Sequence, residues 1–294
     1  MSVSRVLTHK DGMLLGYRLW RGADRPRRLL VLLHGMASNH TRWSEFVEHT
    51  RLKESWDILR PDLRGHGESP YRGRLDMRRW CEDLTDLLDA TSYDQGVFVG
   101  HSLGANVAVE FAARHPARVA GLALIDPVLR EALRGPVRAF ALAAPLVRLV
   151  VWAIQLLNLL GLRRRQIPNR DLRRLDEVTR ETLLEKGKQR EMIARYTSPW
   201  ADLKHFATAN YLQEMIAITR RLPALDRIQV PVLVLLSSGI TFSDPQKTKK
   251  TIARFPRAET LALPAYHWPL TEKPKEVRQA IEQWCARCFH ANGA

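Results

Sequence analysis

Apolar residues in this chain gather into short runs near its two ends, with a long helical stretch between them. The runs lie at residues 28–34, 56–60, 97–99, 120–125, 230–236 and 259–263. Runs this short, bounded by polar segments, predict strands buried on both faces, as in a parallel sheet. Helical spacing follows several of them, most clearly at residues 103–114. Strand alternating with helix predicts a mostly parallel sheet flanked by helices, an α/β fold. Residues 13–20 predict an early antiparallel edge strand. Between residues 128 and 228 the strand pattern stops and helices are expected throughout. The expected organisation is an α/β core in two parts, 1–127 and 229–294, with 128–228 inserted as a helical cap.

Charge adds to this picture. The chain has 294 residues and a formal net charge of +15. Residues 128–228 carry 19 Lys and Arg against 10 Asp and Glu, so most of the excess lies in the expected cap. Nucleic acid, an anionic membrane, an acidic substrate or a merely solvated basic surface would each suit such a balance. There is no dinucleotide G-x-G-x-x-G, no Gly-rich phosphate loop and no aromatic stacking platform, so neither a nucleotide cofactor nor a nucleic-acid partner is expected. The three cysteines, Cys81, Cys285 and Cys288, are too few for a disulfide framework and suit a reducing compartment. Cys285 and Cys288 form a C-x-x-C near His290, but no second ligand cluster faces them. They read as helix positions, and no metal site is expected. Residues 1–20 are broken by Arg5, His9, Lys10, Asp11 and Arg18, which is unlike a signal peptide. No uncharged apolar run reaches about 18 residues. A cytoplasmic protein is the expectation.

The candidate chemistry centres on Gly100-His101-Ser102-Leu103-Gly104, which follows one expected strand and opens one expected helix. At a strand-to-helix turn, G-x-S-x-G forms a nucleophile elbow: the turn is tight, the serine projects from its apex, and the glycines let neighbouring backbone approach. The plainer reading is a βα turn in which serine caps the helix.

Three further motifs complete a pattern. His34-Gly35-Met36 ends an early strand, Asp62-Leu63-Arg64-Gly65-His66-Gly67-Glu68-Ser69 follows the next, and His267-Trp268-Pro269-Leu270-Thr271-Glu272-Lys273-Pro274 follows the last. Together with the elbow they resemble the α/β-hydrolase family, over residues 13–127 and 229–290. The resemblance implies Ser102 as nucleophile and His267 as its base. It implies an oxyanion hole from the backbone N–H groups of Met36 and Leu103, with no cofactor. Serine is a poor nucleophile without a base in hydrogen-bond reach, and the oxyanion it generates needs preorganised donors. Serine rather than aspartate at position 102 argues against alkyl-enzyme chemistry. His34 and His66 are expected to shape the floor of the site, and His101 to pack within the elbow.

The acid of the triad is harder to place. Relatives in this family carry it shortly after the strand that ends here near Leu236, and Ile240 stands at that position. Two carboxylates compete. Asp126 ends the strand after the nucleophile's, where haloalkane dehalogenases and some other relatives keep their acid. Asp244 precedes Pro245 and an expected helix, the pattern of a helix N-cap. Asp126 is the expected acid.

The function implied is hydrolysis of a carboxylic ester or thioester with a hydrophobic acyl group, through an acyl-enzyme. An acyltransferase or C–C bond hydrolase would use the same residues, and a noncatalytic binding protein could keep the fold. Residues 149–162 carry no charge and are mostly aliphatic, and Arg163-Arg164-Arg165 follows at once. As a helix this segment would reach about 21 Å, short of the roughly 30 Å hydrocarbon core of a bilayer. It is expected either to be buried along a substrate tunnel or to touch an anionic membrane peripherally.

Overall fold

A computed structural model of the protein describes residues 2–9, 11–22 and 28–289. Eight strands form one sheet: β1 (Ser2–Thr8), β2 (Leu14–Trp20), β3 (Arg28–Leu33), β4 (Trp56–Pro61), β5 (Gly96–His101), β6 (Val119–Ile125), β7 (Val232–Ser237) and β8 (Ala258–Leu263). Their spatial order is β1-β2-β4-β3-β5-β6-β7-β8. The β1–β2 and β2–β4 pairs are antiparallel. All pairs from β4 to β8 are parallel. All six apolar runs became strands. Leu29 to Leu33 of β3 lie flanked by β4 and β5, and each is buried.

Two expectations about the sheet edges need correction. Residues 14–20 are antiparallel but not the edge, because β1 pairs outside them. β1 gives a weak sequence signal: Val6 on it is exposed, so no continuous apolar run marks the strand. At the other edge β8 is not buried on both faces. Four of its six residues are exposed, since no strand covers its outer side.

Helix Leu103–Arg114 is buried over positions 103–112 without a polar stripe, as expected of a helix enclosed on all sides. Between β6 and β7 the chain makes the expected helical insertion, including Gly135–Leu159, Leu172–Thr179, Gln189–Tyr196, Pro199–Leu203 and Thr208–Ile218. The first of these helices is longer than the segment singled out from sequence and begins well before it. Only Ala141, Ala144 and Val151 of its residues are buried, so the expectation of a helix buried along a tunnel fails for most of its length. It packs on helix Thr208–Ile218.

Buried polar contacts fasten the insertion to the core. On helix Thr208–Ile218, Asn210, Gln213 and Glu214 are three and four residues apart and share one face. Asn210 donates to the Tyr71 carbonyl at 2.7 Å, and Gln213 accepts from the Leu75 N–H at 2.8 Å. Arg42 of the core pairs with Asp176 of the insertion and donates to Thr271 Oγ1 at 2.9 Å. Tyr196 also donates to Asp176, at 2.6 Å.

All three cysteines are free; Cys285 and Cys288 lie on helix Pro274–Phe289, and His290 falls outside the described residues. No group of three metal-ligating side chains occurs among the described residues.

Candidate active site

One residue, Ser102, separates β5 from the helix Leu103–Arg114. Its backbone has φ 51° and ψ −113°, a conformation L residues rarely adopt. The turn closes because its neighbours lack side chains. A Cβ on Gly100 would lie 2.3 Å from the Gly104 carbonyl oxygen, and one on Gly104 would lie 2.4 Å from that of Leu33. The Ser102 N–H donates to Ile125 O at 2.9 Å, tying the elbow to β6.

His267 follows β8. Its Nε2 lies 3.1 Å from Ser102 Oγ. Both backbone polar groups of His267 are held: the N–H donates to Ser237 Oγ at 3.1 Å, and the carbonyl accepts from His101 Nε2 at 2.8 Å. His101 thus does more than pack within the elbow; it fixes the loop that carries His267. Phe242 meets the His267 ring edge-on at 5.0 Å between centroids. Burial pushes the His267 pKa down to about 4, so the imidazole is neutral at neutral pH and able to accept a proton.

Asp126 stands at the end of β6. Its carboxylate accepts from the Ser237 N–H at 2.7 Å and from the Ser237 hydroxyl. Its Oδ2 lies 3.9 Å from His267 Nδ1, within ion-pair range but longer than a hydrogen bond. Burial raises the pKa of Asp126, opposed by the Ser237 hydrogen bonds. Asp244 is occupied elsewhere, capping helix Pro245–Ile252 by accepting from the N–H groups of Gln246 at 3.0 Å and Lys247 at 3.1 Å. Of the two carboxylates, Asp126 is the one beside the imidazole. Ile240 lines the adjoining cavity.

Opposite the serine, neither the Met36 nor the Leu103 N–H has a hydrogen-bond partner among the described residues. The next residue, Ala37, has φ 50°, and its N–H donates to Glu214 Oε2 at 3.2 Å. Glu214 is fully buried and also lies 3.1 Å from His66 Nε2. Burial alone would lower the His66 pKa, but the Glu214 charge raises it above the ordinary value. His34 uses both ring nitrogens on backbone, at Gly35 O and the Leu63 N–H, and burial pushes its pKa down to about 3. Asp62 accepts from the N–H groups of His40 at 2.6 Å and Glu68 at 2.7 Å, holding the turn between them. His34 and Asp62 therefore hold the turns that follow β3 and β4.

Five non-glycine residues among those described have positive φ: Ala37, Ser92, Ser102, Asp126 and His267. Ser92 caps a helix; the other four surround one point. Strain of about 1–3 kcal/mol at each such position persists only where surrounding structure fixes it, and it clusters at functional sites.

Ser102 and His267 open into a cavity of about 610 Å³ between core and insertion. Its walls include Val137 and Phe140 from the first helix of the insertion, with Met215, Ile240, Phe242 and Trp268. Arg42 and Asp202 are among its few charged residues, and burial raises the Asp202 pKa to about 7. Sequence reasoning missed Ser237, Glu214 and Arg42. None belongs to a motif, and only a long-range contact gives each its place.

The sequence matches the family described as alpha/beta hydrolase fold over residues 28–274. It is 25% identical to a probable lysophospholipase L2 of Haemophilus influenzae, over 95% of this chain and 90% of that protein. It is 24% identical to the monoglyceride lipase of Mus musculus, over 98% of this chain and 92% of that protein. Among solved structures, a thermophilic esterase from Thermogutta terrifontis superposes with a TM-score of 0.68 at 22% identity, over 99% of this chain and 100% of the other. Elbow, sheet order and sequence agree: the chain belongs to the α/β-hydrolase family and is a hydrolase.

Proposed function

We propose that the protein is a serine hydrolase that cleaves carboxylic esters or thioesters with an apolar acyl chain, through an acyl-enzyme. Ser102 Oγ attacks the carbonyl carbon while His267 Nε2 takes its proton. The oxyanion is held by the N–H groups of Met36 and Leu103. His267 then protonates the leaving alcohol or thiol, and water repeats the sequence to release the acid. Asp126 supplies the negative charge that stabilises the imidazolium. The insertion acts as a cap, and its Val137 and Phe140 line the acyl site. The observation that carries this reading is the 3.1 Å approach of a neutral imidazole to a serine at a strained elbow. The relatives named as a lysophospholipase and a monoglyceride lipase span nearly all of the chain, which supports a single-chain lipid ester as substrate class.

The test is covalent labelling with a fluorophosphonate probe, followed by turnover of p-nitrophenyl esters of increasing acyl length. Labelling and turnover should both vanish in Ser102→Ala, and kcat/KM should rise from acetyl to octanoyl. A Ser102→Ala protein that still turns over these esters at the wild-type rate would overturn the proposal.

A further inference from the structure

The helix Gly135–Leu159 begins in the cavity and ends on the surface. Pro136, Val137 and Phe140 on its first turns line the cavity that holds Ser102. Beyond them the helix is apolar and uncovered: Leu142, Leu146, Leu149, Trp152, Leu156 and Leu159 are all exposed, Trp152 by 65%. Their spacing of three and four residues puts them on one face. Isolated exposed leucines are ordinary, but a contiguous apolar face of this length needs an occupant.

Charge indicates which occupant. From residue 132 to residue 170 the chain has no Asp or Glu, and Arg134, Arg138, Arg148, Arg163, Arg164 and Arg165 all fall in that span. Arg138, Arg148, Arg163 and Arg165 have no carboxylate partner among the described residues. Arg164 is turned to backbone carbonyls at Leu203 and Phe206, and Arg72 donates to the carbonyl of Arg164 itself. Burial, and then the nearby charges of Arg163 and Arg164, hold the Arg72 pKa below its usual value. An apolar face with uncompensated arginines at its flanks matches acyl chains and anionic phosphate headgroups.

We propose that this helix docks the protein on an anionic phospholipid bilayer, its apolar face sunk into one leaflet and the cavity entrance at the membrane surface. The docking follows from the surface alone. That it delivers a lipid ester directly to Ser102 rests on the hydrolase reading above. The helix is long enough to span a bilayer, at about 37 Å for 25 residues. It is nevertheless fixed to the folded domain by Ala141, Ala144 and Val151, and Arg148 interrupts its middle. Shallow immersion keeps those contacts and lets Arg148 reach the headgroups.

Flotation of Ser102→Ala protein with vesicles reads docking independently of catalysis. Binding to phosphatidylcholine vesicles containing 30% phosphatidylglycerol should exceed binding to pure phosphatidylcholine by more than tenfold. It should fall by a similar factor in 0.5 M salt, and alkaline carbonate should release it. The double variant Leu149→Glu/Trp152→Glu should bind less than one-tenth as well. In the Ser102-containing background it should keep wild-type turnover of soluble p-nitrophenyl butyrate while losing turnover of a vesicle-embedded monoacylglycerol. Wild-type turnover of the soluble ester shows that the catalytic reading stands, whatever the vesicles show. Undiminished vesicle binding by the double variant overturns the docking proposal. So does retention after carbonate treatment, which means a spanning helix. A dimer that the double variant dissociates, with no vesicle binding, gives the face to a second copy and overturns the proposal as well.

Discussion

Replacing Asp126 with asparagine tests the least obvious member of the site. The substitution removes a charge and keeps shape. Asp126 accepts two hydrogen bonds from Ser237, one from the N–H and one from the hydroxyl. An asparagine carbonyl can keep the first, and the hydroxyl can turn to accept from the new amide, so the fold should survive. What is lost, on the proposed mechanism, is attraction for the imidazolium formed as Ser102 attacks. At the 3.9 Å separation of Asp126 Oδ2 and His267 Nδ1, two unit charges attract by about 4 kcal/mol at the effective dielectric of a protein near its surface, against about 1 kcal/mol in water. The site is enclosed, so the larger figure applies, and kcat should fall by about 10³ at one tenfold per 1.4 kcal/mol. KM should barely move, because the imidazolium exists only on the reaction path. The assay is steady-state hydrolysis of p-nitrophenyl octanoate at pH 7.5, with circular dichroism and thermal melting to verify folding. Asp244→Asn is the companion variant and should leave kcat within twofold. A folded Asp126→Asn enzyme within threefold of wild type would refute the assignment of the acid.

Other consequences follow from the same geometry. Because burial lowers the His267 pKa to about 4, kcat/KM should be flat near neutral pH and fall as acid protonates the base, with a midpoint near that value. Asp126, whose pKa is raised, must also lose its proton and so shapes the same limb, whereas a midpoint at 6.5 or above would mean that His267 is not desolvated as the structure has it. Gly104→Ala should destabilise the fold by more than about 2 kcal/mol in urea unfolding, since its Cβ would lie 2.4 Å from backbone at Leu33. Glu214→Ala leaves the Ala37 N–H without its acceptor and uncouples buried His66, and should cost about 3–5 kcal/mol of stability in the same measurement. Asp244→Ala removes a helix cap and should lower the urea midpoint slightly with kcat unchanged.

How much of this could be read in the sequence depends on the range of the interactions. The parallel strands β3 to β7 were legible because each lies between two neighbours and is written as an apolar run. β1 was missed because it carries no such run, and β8 was found but wrongly expected to be buried on both faces, since it lies at the open edge of the sheet. The elbow was legible because its geometry is local: Gly100, Ser102 and Gly104 meet one another across a single turn. His267 was found through its place after the last strand. Ser237, Glu214 and Arg42 left no trace, since their partners are 111, 177 and 134 residues away. The first helix of the insertion was read as too short because only its uncharged part was considered; arginines at 138 and 148 break the apolar run but not the helix, since their side chains can leave its surface.

The position of the Asp126 carboxylate bears on the shape of the cavity. With Asp126 at the end of β6 as the proposed acid, the loop after β7 need not carry one. Residues 240–242 of that loop instead reach the cavity, where Ile240 and Phe242 form part of its apolar wall. Phe242 stands edge-on to His267 at 5.0 Å, on the same ring that has Asp126 beside its Nδ1. One wall residue therefore contacts both the substrate space and the base, and it helps keep water from the imidazole. Ser237, at the end of the same strand, takes over the fixing of charge: it binds the Asp126 carboxylate with its N–H and hydroxyl and accepts the His267 N–H on its oxygen. A serine in place of a loop carboxylate can thus hold base and acid together from one strand end. That division of labour gives a physical reason why an isoleucine at position 240 is compatible with a working hydrolase.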